Sequence, residues 1–435
     1  MSGRHPPTAH QLDRRSLLLA AGAGALTAVG ATACGSAAGQ PAGKVAVHGD
    51  NVNFGPPIEA AGKQMKSVAG LSLVPEVIPS LESFEQVVKS SLRTSKTPDL
   101  LKYWSGYRLK DLARTGGTVD LSDVWRSAEA KGWVDPSLRS AFTYDDKVYA
   151  LPMNLAYWVF YYNTEVFKEN GLKKPETWDD FIKACTTLKR AGITPLHAAT
   201  DGRWPSFIWF QEVLTRQNPQ FYEDLMNGRE HYPDKRTERA MQTIGDFADK
   251  GWFTALDLTM DNAAAQMIKG KLGMVPCGTW MGALVAGLGG KLGKNIDAFV
   301  LPMENPDAKP SMVFECSAFV STVKGPDRKE AYRVAENWLH PKVAQAFAHA
   351  LQDGSPNPKV PPANPAIAGV QRTVREKKVR MLNRFWELGP PELVEATVDD
   401  LAAFMLNPSS YRSVLRTMQE RADEAWKVWR EAEKV

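Results

Sequence analysis

The chain has 435 residues, a formal charge of +4 and 43% hydrophobic residues, which is too long for one comfortable core and suits two domains of roughly 200 residues. Its 53 basic residues are nearly balanced by 49 acidic ones and form no clustered basic face, which excludes a nucleic-acid binder. Beyond Cys34 only Cys185, Cys277 and Cys316 remain, so no disulfide framework carries the fold.

Arg14-Arg15 stands ahead of Ser16-Leu17-Leu18-Leu19 and a Gly/Ala-rich run uncharged as far as Lys44. A twin arginine before a weakly apolar segment is the mark of twin-arginine export, and the segment is too short and too rich in glycine to span a bilayer. Ala31-Thr32-Ala33-Cys34-Gly35 resembles a lipoprotein box, with Ala31 in the place of the usual leucine. Two outcomes stay open: lipidation of Cys34, which would anchor the protein to the outer face of the cytoplasmic membrane, or cleavage after Ala33 and secretion. Residues 1–33 thus read as an export signal and 34–43 as a flexible tether. Removing the signal takes away Arg4, Arg14, Arg15 and Asp13 and leaves a charge near zero.

From Lys44 short apolar runs alternate with amphipathic stretches, the pattern of an α/β chain. Val45-Ala46-Val47 predicts a first strand that closes at His48-Gly49-Asp50. Leu71 to Ile78 predicts a second, with Pro75 marking an edge or a bulge. Ser80 offers a helix cap, with Phe84, Val87, Val88 and Leu92 on one face. Leu100 to Trp104 and Trp158 to Tyr162 are strand-grade runs. Thr177 caps a helix whose stripe is Phe181, Ile182, Cys185 and Leu188 and which Gly192 stops. Asp327, with Glu330 three residues on, opens another that ends before Pro341, where His340 suits a helix C-terminus. A final long helix carries Tyr411, Val414, Leu415, Met418, Ala422, Ala425, Trp426 and Trp429.

The motifs of catalysis are weak. There is no P-loop, no HExxH pair and no Gly-x-Ser-x-Gly elbow, and the histidines are scattered. No metal or cofactor is expected. Binding signals are stronger: Gly278-Thr279-Trp280 follows a strand, and Trp104 and Trp204 stand at comparable ends and loops. Ligands of open α/β sheets bind outside such strand ends, and aromatic faces stack on the C–H faces of sugar rings.

The order of Thr97-Pro98-Asp99, Gly132-Trp133, Asp146-Lys147-Val148-Tyr149-Ala150-Leu151-Pro152, Phe160-Tyr161-Tyr162-Asn163 and Pro175-x-Thr177-Trp178-Asp179-Asp180-Phe181 resembles one family. With Gly270-Lys271-Leu272-Gly273-Met274, Gly278-x-Trp280 and Leu301-Pro302-Met303, it is similar to the carbohydrate-type solute-binding proteins of ABC importers, relatives of the maltodextrin-binding proteins. The resemblance implies a two-lobed, type II periplasmic-binding-protein-like α/β fold with hinge crossings near Pro152, Pro302 and Gly354. Residues 41–152 and 303–352 would form the first lobe, 153–302 and 353–435 the second.

The resemblance further implies a monomeric extracytoplasmic receptor that gives up its sugar to permease subunits. Its ligand-binding residues would be Asp50, Trp104, Arg108, Trp204, Trp280 and Trp386, and Glu315 joins them because Glu315-Cys316-Ser317 interrupts a strand-like run with polar groups, the mark of a cleft-facing turn. Tyr107 stands where the family has an acid, which points away from maltose. The near-zero charge and several tryptophans favour a neutral di- to tetrasaccharide, with a monosaccharide second and a peptide or polyol third. A surface-retained carbohydrate-active enzyme and a structural or adhesive lipoprotein are the alternatives. Because a bond between Cys277 and Cys316 would staple the lobes, free thiols are expected.

Overall fold

The computed structural model describes residues 43–433 apart from Pro79. The export signal with Arg14 and Arg15, the lipidation residue Cys34 and all but the last residue of the tether lie outside the described residues. Among the described residues thirteen strands run in chain order as β1 (Lys44–Gly49), β2 (Ser72–Val77), β3 (Leu100–Trp104), β4 (Thr143–Tyr144), β5 (Lys147–Val148), β6 (Leu151–Pro152), β7 (Ala156–Asn163), β8 (Thr194–Leu196), β9 (Leu272–Gly278), β10 (Ile296–Phe299), β11 (Ser311–Glu315), β12 (Ser317–Ser321) and β13 (Arg380–Asn383). They build two mixed sheets. The first has the order β2-β1-β3-β12-β6; the second has β13-β11-β7-β9-β8 with β10 also on β7, and β4 pairs β5 separately.

Local chemistry explains much of this. Pro75 lies on β2, which among the described residues pairs only with β1, an edge position where its missing N–H costs no central ladder bond. Ser80 caps the helix α2 (Leu81–Ser91) by accepting from Ser83 N–H; α2 follows α1 (Gly55–Ala69) and precedes α3 (Gly106–Arg114). Phe84, Val88 and Leu92 are buried as expected, whereas Val87 is exposed, because the stripe on this helix is narrower than the apolar run. Thr177 and Asp180 form a reciprocal capping box for the helix Trp178–Arg190. His340 differs from expectation. It caps the N-terminus of the helix Pro341–Leu351, where Nδ1 accepts from Lys342 N–H at 3.2 Å, so the neutral ring is the one the cap uses.

The chain passes between the sheets at three places. β6 belongs to the first sheet and β7 to the second, so one passage is Met153–Leu155. The next falls at Cys316, between β11 in the second sheet and β12 in the first. The expected crossing near Pro302 is therefore displaced: after Phe299 the chain loops and returns as β11, antiparallel to β7, before it leaves. The third passage touches the first directly, where Leu155 N–H donates to Gly354 O at 3.0 Å. A Cβ at Gly354 would stand 2.2 Å from Leu155 O, so this approach of two backbones requires glycine.

One buried carboxylate stitches the three passages. Asp353 accepts from Asn154 Nδ2 at 2.7 Å, from Thr279 Oγ1 at 2.5 Å and from Gly354 N–H at 2.7 Å. Asn154 Oδ1 in turn accepts from Ser317 N–H at 3.0 Å. Burial pushes Asp353 up to about 7, while those three donors favour its charge. Cys185, Cys277 and Cys316 are all unpaired and buried.

Candidate ligand-binding site

A cavity of about 320 Å³ lies between the two sheets, lined by residues from both. The first sheet supplies Asp50, just past β1, and Lys102 and Trp104 from β3. Residues two apart on a strand share a face, which is why Lys102 and Trp104 enter the site together. The second sheet supplies Glu315 at the end of β11 and Trp280 in the turn after β9; the segment after β13 adds Arg384, Trp386 and Glu387. Trp204 and Phe207 come from the short helical turn Trp204–Phe207.

The aromatic rings form a connected wall. Trp204 and Trp280 meet at 6.1 Å between centroids with a 60° tilt, and Phe207 stacks near Trp386 at 6.2 Å. The charged groups are internally matched. Lys102 Nζ donates to Asp50 Oδ1 at 2.7 Å and lies 5.0 Å from the Trp104 ring centroid. Arg384 bridges Glu315 and Glu387, reaching Glu387 Oε2 through Nε at 2.8 Å. Glu315 also accepts the indole N–H of Trp280. Burial and the neighbouring Glu387 push Glu315 up to about 7 against the pull of Arg384. Burial works against charge on Arg384 too, but its two carboxylates hold it above its ordinary value. Among the described residues no group of acids, histidines and cysteines is arranged to hold a metal ion.

Six of the seven residues expected from the sequence line this cavity: Asp50, Trp104, Trp204, Trp280, Glu315 and Trp386. Arg108 does not. Its side chain is 2% exposed and lies behind the aromatic wall, 4.0 Å from the Trp386 centroid, because its position on α3 turns it toward Glu85 and Glu395. Lys102, Arg384 and Glu387 escaped the sequence reading. A lysine inside the apolar run of β3 and two charges flanking Phe385-Trp386 are the only local signals of them.

Residues 56–353 match the profile of the bacterial extracellular solute-binding proteins, and the chain belongs to that family. Its members are extracytoplasmic. An uncharacterised ABC transporter extracellular-binding protein of Pyrococcus horikoshii is 22% identical over 65% of this chain, a stretch that spans 63% of that relative. The melibiose/raffinose/stachyose-binding protein of Bacillus subtilis is 32% identical over 33% of this chain and 30% of its own length. Among solved structures the fold is shared with the bacterial solute receptor AcbH, which has an exclusive preference for β-D-galactopyranose. The two superpose with a TM-score of 0.78 at 19% identity, over 88% of this chain and 98% of AcbH. A chitin oligosaccharide binding protein gives a TM-score of 0.75 at 19% identity, over 88% of this chain and 98% of its own.

Proposed function

We propose that the protein is a sugar receptor for an ABC importer, which captures a neutral mono- or oligosaccharide between its lobes and passes it unaltered to permease subunits. The observation that carries this reading is the composition of the interlobe cavity. Four tryptophans supply flat apolar faces for the C–H faces of pyranose rings, and two sets of matched charges supply acceptors and donors for hydroxyls. Because both lobes contribute, a ligand that touches both gives the closed state its differential affinity.

A volume of about 320 Å³ is at the small end of the usual range for small-molecule sites, which favours one or two enclosed rings over the longer ligands. Asp50, Trp104, Trp204, Trp280, Glu315 and Trp386 are the residues this reading assigns to the ligand. Arg108 supports Trp386 from behind. Attachment to the membrane through Cys34 and export directed by Arg14-Arg15 rest on the sequence, as does a monomeric state. A thermal-shift screen over monosaccharides, raffinose and chitin oligosaccharides tests the reading, since binding raises the melting temperature by mass action; stabilisation by peptides or acidic sugars alone contradicts it.

A further inference from the structure

The first lobe meets the second not only through the three sheet crossings but also through α3. At its first residue, Gly106 has φ +64°, and a Cβ there would stand 2.3 Å from Glu387 O. The two backbones are thus in contact without a side chain between them. Two residues on, Arg108 donates to Trp386 O at 3.4 Å and to Glu395 Oε1 at 3.1 Å, and also pairs with Glu85 of its own lobe. Its guanidinium lies 5.4 Å from the Trp104 centroid and 4.0 Å from that of Trp386. Those two rings come from different lobes and both line the ligand cavity.

Farther along the same helix, Arg114 donates to Trp429 O at 3.3 Å and sits 4.1 Å from that ring's centroid. Apart from the contacts of Arg108 with Glu85 and Trp104 of its own lobe, these contacts join α3 to the segment or helices that follow β13. The contacted segment carries Arg384, Trp386 and Glu387 into the cavity. Opening of the cleft by rotation at the sheet crossings would separate α3 from it.

We infer that α3 is an interlobe latch, with Gly106 and Arg108 as positioning residues that hold the Trp386 wall against the first lobe when the cleft is shut. The absence of a side chain at 106 permits the docking, and Arg108 fixes the angle between the two cavity rings. The latch rests on the sugar-receptor reading only for what fills the cavity. It predicts that a substitution behind the wall, out of reach of ligand, changes both closure and affinity.

The test compares Gly106→Ala with Gly116→Ala. Gly116 also has a left-handed φ, +70°, but a Cβ there meets nothing within 4 Å, so it carries the backbone strain without the collision. Radii of gyration are measured by small-angle X-ray scattering, without ligand and with the tightest binder among galactose, raffinose and chitobiose. Gly106→Ala is expected to show a larger radius than wild type and Gly116→Ala, with a dissociation constant raised about tenfold. A radius equal to wild type in both conditions overturns the latch. If Gly106→Ala does not fold, Glu395→Ala, which trims the latch at a partly exposed acid, carries the same comparison. A wild type that binds none of the three sugars defeats the carbohydrate reading instead, and the ligand-free radii still decide the latch.

Discussion

Trp280 donates its indole N–H to Glu315, so the turn after β9 is tied to the last residue before the chain leaves the second sheet at Cys316. One bond thereby links a cavity wall to a hinge passage. Trp280→Ala removes both the ring and this tie and is expected to weaken sugar binding by about 1–3 kcal/mol. Trp280→Phe keeps an apolar face and loses only the donor, so its loss is expected to be the smaller. Titration calorimetry of both variants decides the matter; normal affinity in Trp280→Ala removes the strongest of the proposed contacts.

The hinge carboxyl makes stability depend on pH. Asp353 is raised to about 7 by burial, above its unfolded value of about 3.9, so the folded protein binds the proton more tightly. Its contribution is full below about pH 4 and is lost as pH rises through about 7. Glu315, raised in the same direction, adds to the trend. Melting temperatures of Asp353→Asn across that range are expected to fall less with rising pH than those of wild type. Parallel curves would show that Asp353 does not titrate there.

His340 works with the opposite sign. Burial and the nearby Lys342 and Lys131 lower its pKa, and its neutral ring accepts the capping bond from Lys342 N–H. The cap is present above the unfolded pKa of about 6.5 and is lost as pH falls through the folded value. His340→Asn, which caps without titrating, is expected to flatten the acid limb of the melting curve. An unchanged acid limb would leave the cap without thermodynamic weight.

Much of the fold was legible because the signals were local. The edge Pro75, the Thr177 box and the Phe84, Val88 and Leu92 stripe each follow from a few neighbouring residues. What sequence could not place were partnerships over long separations. Pro302 looks like a boundary, yet nothing near it says that β11 will pair with β7 before the chain crosses at Cys316. Arg108 sits four residues past a true cavity residue, but the helix that starts at Gly106 points it away. Lys102 and Arg384 enter the site because Asp50 and Glu315 balance them in space, a pairing invisible in either segment alone.

The meeting of Leu155 and Gly354 predicts a strong steric effect. Gly354→Ala forces a Cβ against Leu155 O and is expected to destabilise the chain by about 1–3 kcal/mol, read by denaturant unfolding. Wild-type stability would mean that the two passages separate at little cost.

The three buried thiols are unpaired, so reductant is expected to leave gel mobility and ligand affinity unchanged. A shift in either would place a bond where the hinge needs freedom.

Calorimetric titration of the purified wild-type protein with galactose, raffinose and chitin oligosaccharides, alongside a uronate and a peptide, separates a neutral-sugar receptor from its rivals. Tight, saturable binding of at least one neutral sugar is expected, with no product formed after prolonged incubation. Binding confined to the uronate or the peptide, or turnover of the sugar, would contradict it.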